Sequence, residues 1–307
     1  MIRNPGKITD EIGFLGTRES CLYLLKGEEA MIIGGGMSYV APTLERQFSA
    51  MDFDCAKVKY LVISHSHFDH CGAVPYLKRK FPHIQVLASE HSQEVFSNKK
   101  AVRHIAATNS WLVDKLGLQD EYERLNLKFD EIEVDRVVTE EDVIKLGNGI
   151  EICFIEVPGH SKCSIAIYVP ELKAMFPSDA APGPMKDENK LTYPSSQCDY
   201  FLYKESLKKL AVCEVEICAF EHNGVAVSDQ AKSILHQGLR RTEDFKDDII
   251  ERYQQIGDLD KLAEEVAIEA LEMTGFDLFG VELHTIVAKT VIRTILSQFG
   301  VVKYGLS

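Results

Sequence analysis

No stretch of the 307-residue sequence approaches the roughly 18–20 consecutive apolar residues that cross a bilayer as a helix. The opening MIRNPGKITDEIG lacks a basic segment followed by an apolar one, so no export signal is read there. A cytoplasmic protein with no membrane partner is expected. Basic charge is scarce: 34 Lys plus Arg stand against 47 Asp plus Glu, a net charge of −13. Such a field repels phosphate backbones and sets nucleic acid aside as a main partner. The two basic islands, Lys78-Arg79-Lys80 and Arg240-Arg241, read as solvated helix faces. No Cys-x-x-Cys pair occurs among the eight cysteines, and most lie inside apolar runs such as EICFI and VEICAF. They read as free, buried thiols rather than bridges. Proline- or serine-rich linkers, repeats and low-complexity tracts are missing too. Gly34-Gly35-Gly36 is no phosphate loop, because no Lys-Ser/Thr follows at the required spacing.

What is present is an alternation of short apolar runs and helical patterns: SCLYLLKG, AMIIGGG, the helix APTLERQFSAM, KYLVISH, VPYLKRKF and IQVLASE. That alternation marks an α/β fold. Residues 91–128 read as mostly helical with a break at Gly117. Strands return in IEVDRVV, DVIKL, IEICFIEV, SIAIYV and KAMFPSD, with a turn at 145–149. From Ser228 onward three amphipathic stretches, 228–255, 258–273 and 281–298, predict helices. The expected organisation is a body over 1–227 with helices over 228–307 packed across its cleft, a face that also offers a homodimer contact.

The chemistry-bearing segment is LVISHSHFDHCG. An apolar strand releases His65, His67, Asp69 and His70 into a loop before the next helical pattern begins. Ligands in open α/β sheets sit at such carboxyl ends of strands. In extended chain His65 and His67 point the same way and meet one metal, while Asp69 and His70 reach a second. Further ligands are sought at later strand ends. His160 follows EICFIEV, Asp179 follows KAMFPS, and His222 follows VEICAF.

The series His-x-His-x-Asp-His, Gly-His-Ser, Ser-Asp-Ala and a late His-x-Gly resembles the metallo-β-lactamase superfamily with a glyoxalase II-like ligand set. That resemblance implies an αββα sandwich with a dinuclear site at one edge. His65, His67 and His160 would hold one ion and Asp69, His70 and His222 the other, with Asp179 bridging. The last motif departs from the family's usual Gly-His-Gly type, since Glu221-His222-Asn223-Gly224 stands there. Relatives with Arg in place of His70, Cys in place of Asp179 or Glu in place of His67 do not share this set. Within the family, CGAVPYLKRKFPHIQVLASE and GVELH are similar to the quinolone signal response type, in which C-terminal helices close a thioesterase site.

Imidazoles and carboxylates suit Zn²⁺, Fe²⁺ or Mn²⁺, and no thiolate forces zinc over iron. Two such ions share a hydroxide, because bound water falls to a pKa of about 7. The expected reaction is attack by that hydroxide on a small thioester or ester, with Asp69 orienting it and taking up its proton. A covalent nucleophile is not expected, since no Gly-x-Ser-x-Gly elbow occurs. A lactonase or phosphodiesterase would use the same site. A regulatory protein working through a helical surface such as Arg240-Arg241 is the reading from a different class. His83, His91, His104 and His236 read as ordinary surface. His284 heads the stripe His284, Val287, Val291 and Ile295. It would contact substrate if that helix covers the cleft, and otherwise reads as a core histidine satisfied by a backbone carbonyl.

Overall fold

The computed structural model describes residues 1–185, 190–275 and 278–302. One sheet orders seven strands as they occur in the chain: β1 (Gly6–Lys7), β2 (Ile12–Gly16), β3 (Cys21–Lys26), β4 (Ala30–Ile33), β5 (Val58–Val62), β6 (Gln85–Ala88) and β7 (Arg136–Val137). β1 to β4 pair antiparallel, and β4 to β7 pair parallel. Parallel pairing needs crossovers, and helices supply them. α1 (Ala41–Ala50) precedes β5. α2 (Phe68–Cys71) and α3 (Val74–Lys80) precede β6. α4 (Glu90–Ser97), α5 (Lys99–Lys115) and α6 (Gln119–Arg124) precede β7.

The second sheet contains β8 (Val143–Gly147), β9 (Ile150–Glu156), β10 (Ile165–Val169), β11 (Ala174–Phe176), β12 (Ile217–Ala219) and β13 (Val225–Val227), in the order β13-β12-β11-β10-β9-β8. α7 (Tyr200–Ala211) crosses from β11 to β12, the one parallel pair of this sheet. Three helices follow: α8 (Asp229–Ile256), α9 (Leu259–Thr274) and α10 (Gly280–Gln298).

Period-two alternation explains the layering. Along β3, Leu22 and Leu24 face the helices, while Cys21, Tyr23 and Leu25 face the second sheet. There they meet Ile152, Phe154, Ile165 and Ile167, and the Tyr23 and Phe176 rings pack at 5.2 Å. Both faces of this strand are buried, which is why SCLYLLKG reads as continuously apolar. On the outer face of the second sheet, Ala166, Met175 and Cys218 meet Leu207, Leu210, Ile234 and Leu235 of α7 and α8. The result is four layers, helix–sheet–sheet–helix, as the family resemblance implies.

The C-terminal boundaries follow from capping. Gly257 ends α8 with φ 68° and Asp258 caps α9, accepting from the amides of Asp260 and Lys261. IEVDRVV differs from expectation, because only Arg136 and Val137 pair. The Asp135 carboxylate takes the Val86 amide at 2.7 Å and the Lys78 ammonium at 2.6 Å, so a side chain replaces the ladder carbonyl and shortens the strand. Lys78 of the first basic island is thus paired. In the second island Arg241 is not a solvated residue, since it stacks over the Tyr193 ring at 4.7 Å.

α9 and α10 form their own apolar cluster with α8, around Phe245, Ile249, Val266, Val291 and Ile295. They are tied to the body through segment 190–200. Thr294 Oγ1 donates to the Gln197 carbonyl at 2.9 Å, and the Tyr200 amide donates to the Gln298 side chain at 2.8 Å. The Tyr193 hydroxyl donates to Glu269 at 2.6 Å, and Arg252 bridges Glu265 and Glu269. Among the described residues no helix is long and apolar enough to cross a membrane.

Candidate metal centre

Strand direction delivers the seven predicted residues to one edge. β9 and β11 both run antiparallel to β10, and β12 runs parallel to β11, so all three release their carboxyl ends on the same side. His160, Asp179 and His222 follow those three ends. β5 arrives from the other sheet, where its Ser64 carbonyl accepts the Ile165 amide at the start of β10 at 2.8 Å. His65, His67, Asp69 and His70 are thereby carried to the same place.

The loop is braced from behind by the glycines at 34–36. The Gly35 amide donates to the His70 carbonyl, and the Gly72 amide to the Gly36 carbonyl. A Cβ on Gly35 would stand 2.6 Å from that His70 carbonyl, so only glycine permits this approach. Gly159, beside His160, is as constrained: its φ is +131° and a Cβ would lie 2.2 Å from the Tyr203 amide nitrogen of α7.

Two clusters result. In the first, His160 Nε2 lies 3.2 Å from His65 Nε2 and 2.9 Å from His67 Nδ1. In the second, His70 Nε2 lies 3.1 Å from His222 Nε2, and Asp69 Oδ2 lies 3.5 Å from each of them. Asp179 joins the two, with Oδ2 3.3 Å from His70 Nε2 and 3.4 Å from His160 Nε2. Its Oδ1 is 4.0 Å from His222 Nε2. Tetrahedral ligands about 2.0–2.1 Å from an ion stand about 3.3–3.4 Å apart, close to these edges.

The outer nitrogens fix which atom faces inward. His160 Nδ1 donates to the Ser195 carbonyl at 2.8 Å, and His222 Nδ1 to the Glu19 carbonyl at 2.6 Å. His70 Nδ1 donates to Glu221 Oε2 at 2.7 Å, and His65 Nδ1 meets Ser178 Oγ at 3.1 Å. A carbonyl or carboxylate only accepts, so His160, His222 and His70 carry a proton on the outer nitrogen, which leaves the inner nitrogen as the one a metal would take. Lone pairs about 3 Å apart repel unless a cation lies among them, and the donor set therefore fits metal ions. Within each cluster of three the ligand atoms lie within 4.8 Å of one another.

Electrostatics agree. Burial and the neighbouring imidazoles push His65 well below its ordinary pKa, and burial with His160 brings His67 down to about 4. Burial lowers His160 as well, leaving three neutral imidazoles, the form a metal requires. In the second cluster burial disfavours a protonated His70, but Asp179, Asp69 and Glu221 outweigh it and raise its pKa well above the ordinary value. Burial likewise opposes charge on Asp69 and Asp179, yet His70 holds both carboxyls well below the usual range. A place that draws a proton so strongly also draws a divalent cation.

His65, His70 and His160 are almost fully enclosed, whereas the side chains of Asp69, Asp179 and His222 are 18%, 21% and 25% exposed. They face two cavities. The larger, about 650 Å³, lies on the His67 and His160 side, with Phe68, Ile105, Phe279, Leu283 and Val287 among its walls. The smaller, about 250 Å³, lies on the His222 side. The Phe68 and Phe279 rings pack at 5.6 Å where the helices close over the loop.

His284 lines both cavities, and its Nδ1 donates to the Gly280 carbonyl at 2.9 Å. His91 and His104 are exposed as expected, yet both line the rim of the larger cavity. Two supporting residues escape the reading of the sequence. Glu221 stands there only as a departure from a motif, and its place before a strand-end histidine is the available signal. Ser178 leaves no signal at all: its φ of 56°, a left-handed conformation costing about 1–2 kcal/mol for a side-chain-bearing residue, aims its hydroxyl at His65.

Known proteins resemble this chain in sequence and fold. The chain matches the family model of the metallo-beta-lactamase superfamily over residues 16–222. It is 26% identical over 226 residues to the metallo-beta-lactamase fold-containing protein ST1585 of Sulfurisphaera tokodaii, covering 72% of this chain and 79% of that protein. The crystal structure of ST1585 superposes with a TM-score of 0.53 at 22% identity, over 78% of this chain and 84% of that one. The metallo-beta-lactamase family protein TTHA1429 of Thermus thermophilus gives a TM-score of 0.66 at 16% identity over 97% of both chains, so its fold extends through the C-terminal helices. A metallo-beta-lactamase of Cronobacter sakazakii gives 0.59 at 20% identity, over 82% of this chain and 96% of that one. A family match spanning residues 16–222, joined to a shared two-sheet architecture, makes this chain a member of the metallo-β-lactamase superfamily.

Proposed function

We propose that the protein is a dinuclear metal-dependent hydrolase of a small thioester or ester. The observation that carries this is the pair of inward-facing ligand clusters joined through Asp179, beside a largely apolar cavity. His65, His67 and His160 would hold one ion, Asp69, His70 and His222 the other, and Asp179 both. The ions, whether Zn²⁺, Fe²⁺ or Mn²⁺, would supply Lewis acidity and an acidified water.

The chain's own side chains do the rest. The outer partners of the histidines fix ring orientation, so the inward atoms need not rearrange. Phe68, Phe279, Leu283 and Val287 exclude bulk water from the reacting carbonyl. Asp69 opens on both cavities and has a second carboxylate oxygen to accept the proton released by the attacking water. His284 borders the same space from the helical side, where it would contact the bound substrate.

The ester or thioester preference rests on the resemblance of residues 71–90 and GVELH to the quinolone signal response type and on the largely apolar lining of the cleft, which suits a small acyl or aryl group. Residues 228–307 then act as the cap of the 1–227 body. Elemental analysis of purified protein should give two metals per chain. Thioester, ester, lactone and phosphodiester substrates tested in parallel should show thioester or ester turnover that chelation abolishes. Turnover confined to lactones or phosphodiesters would transfer the same centre to that chemistry. No turnover on any of them, with metal bound, would leave a regulatory role; Arg241, turned onto Tyr193, leaves only Arg240 of the pair for a partner.

A further inference from the structure

A third cavity, about 130 Å³, runs behind His284 between segment 192–195 and helices α9 and α10. Its polar groups sit at the neck: Thr192, Ser195, Thr274 and His284 all line the metal-side cavities too. Every residue belonging to the third cavity alone is apolar, among them Phe245, Val266, Ala270, Met273, Ala288 and Val291. The Phe245 ring packs on Tyr193 at 4.4 Å along its wall. Polarity therefore falls from the metal ligands, through the shared lining residues, to the apolar part of the third cavity.

Such a void is costly to keep, because hydrocarbon walls lose contacts across it, and a methyl-to-isobutyl change at Ala270 or Ala288 would fill it. Beyond the polar neck the lining is apolar and offers water few partners, and an apolar cavity of about 150 Å³ takes a six-carbon guest. Met273 adds a wall that adapts to a guest's shape.

We propose that this cavity receives the acyl chain of the substrate, a straight hydrocarbon tail of about four to six carbons, with its carbonyl at the neck beside His284 and Asp179. The assignment rests on the esterase reading above and deepens it. In the hydrolysis, the acyl carbon–sulfur or acyl carbon–oxygen bond breaks, a water oxygen joins the acyl carbon, and a proton passes to the leaving thiol or alcohol. The leaving side belongs in the larger cavity, whose rim carries the exposed His91, Glu94 and His104, because a carrier alcohol or thiol must reach solvent. Only the acyl side ends in bare hydrocarbon.

The test uses the metal-loaded full-length protein with acetyl, butyryl, hexanoyl, octanoyl and decanoyl thioesters of one thiol. Burial of each methylene should raise kcat/KM about three- to fourfold up to hexanoyl, followed by a plateau or a fall. Ala288→Phe and, as a milder filling, Ala270→Leu should each lower the hexanoyl-to-acetyl ratio of kcat/KM about tenfold or more. A flat chain-length profile with normal acetyl turnover overturns the acyl pocket and leaves the esterase reading intact. Absence of all ester turnover overturns the esterase reading, and the pocket is then judged by binding. Hexanoate raising the melting temperature of the wild type more than acetate does, with the difference lost in either filled variant, supports it. Equal shifts for the two acids overturn it.

Discussion

The Glu221 carboxylate stands 2.7 Å from His70 Nδ1 and also accepts the Ser64 hydroxyl at 2.5 Å, which makes it the outer partner of a buried histidine between two clusters. A carboxylate in this place fixes the tautomer and strengthens the ring as a ligand. Glu221→Ala should lower the affinity for one of the two metals about 10- to 100-fold, while Glu221→Gln, which keeps an accepting oxygen, should retain more of it. Metal content measured after dialysis against graded chelator separates the two variants. Equal retention by Ala, Gln and wild type would remove Glu221 from this role.

Asp179 Oδ2 lies within 3.4 Å of an inward nitrogen in each cluster. Asp179→Asn removes the charge with little change of shape, so the protein should fold with an unaltered circular dichroism spectrum. Its ester turnover should fall by about two orders of magnitude or more, with loss of metal cooperativity in chelation. A variant as active as wild type would sink the dinuclear reading.

The tie between segment 190–200 and the helices has a pH dependence of known sign. Burial disfavours charge on Glu269, but hydrogen bonds from Arg252 and Tyr193 outweigh it and lower its pKa below the ordinary 4.5. A carboxyl depressed in the folded state stabilises above its unfolded pKa and loses that effect as pH falls through the folded value. Wild type should therefore exceed Glu269→Gln in stability at neutral pH, and the gap should narrow as pH falls below the ordinary 4.5 and through the lower folded value. Tyr193→Phe should cost about 0.5–1.5 kcal/mol, the net worth of one hydrogen bond, read from chemical denaturation at neutral pH.

Thiol reactivity should be sharply graded. Cys21, Cys71 and Cys218 are buried, and burial raises all three well above the ordinary thiol range. Cys198 is exposed, unlike the expectation that the cysteines pack as small hydrophobes. A thiol reagent added to native protein at about pH 8 should modify Cys198 first, and Cys198→Ser should remove the fast phase. Peptide mass spectrometry after short labelling identifies the site.

The residues that carry charge and metal affinity were legible because their chemistry depends on residue type at short spacing: His65, His67, Asp69 and His70 lie within six positions, and each later candidate follows an apolar strand. The α/β class was legible in the alternation of short apolar runs and helical patterns, while the layering followed from the family resemblance, because Leu22 and Leu24 are as apolar as Cys21, Tyr23 and Leu25 on the opposite face. Asp135 was not legible, since a side chain capping Val86 from a distant position leaves no periodic trace. His91 and His104 were read as surface because local charge describes exposure but not what faces them across a cleft. The third cavity depends on how α9 and α10 meet segment 192–195, which is tertiary geometry, and Ala270 and Ala288 look like any helical alanines.

Ser178 sets two demands against each other. Glycine would adopt φ 56° without strain, but would leave His65 Nδ1 without the hydroxyl 3.1 Å away. A search for hardier versions of this protein, guided by melting temperature alone, would thus be drawn to a substitution that loosens the centre it ought to preserve.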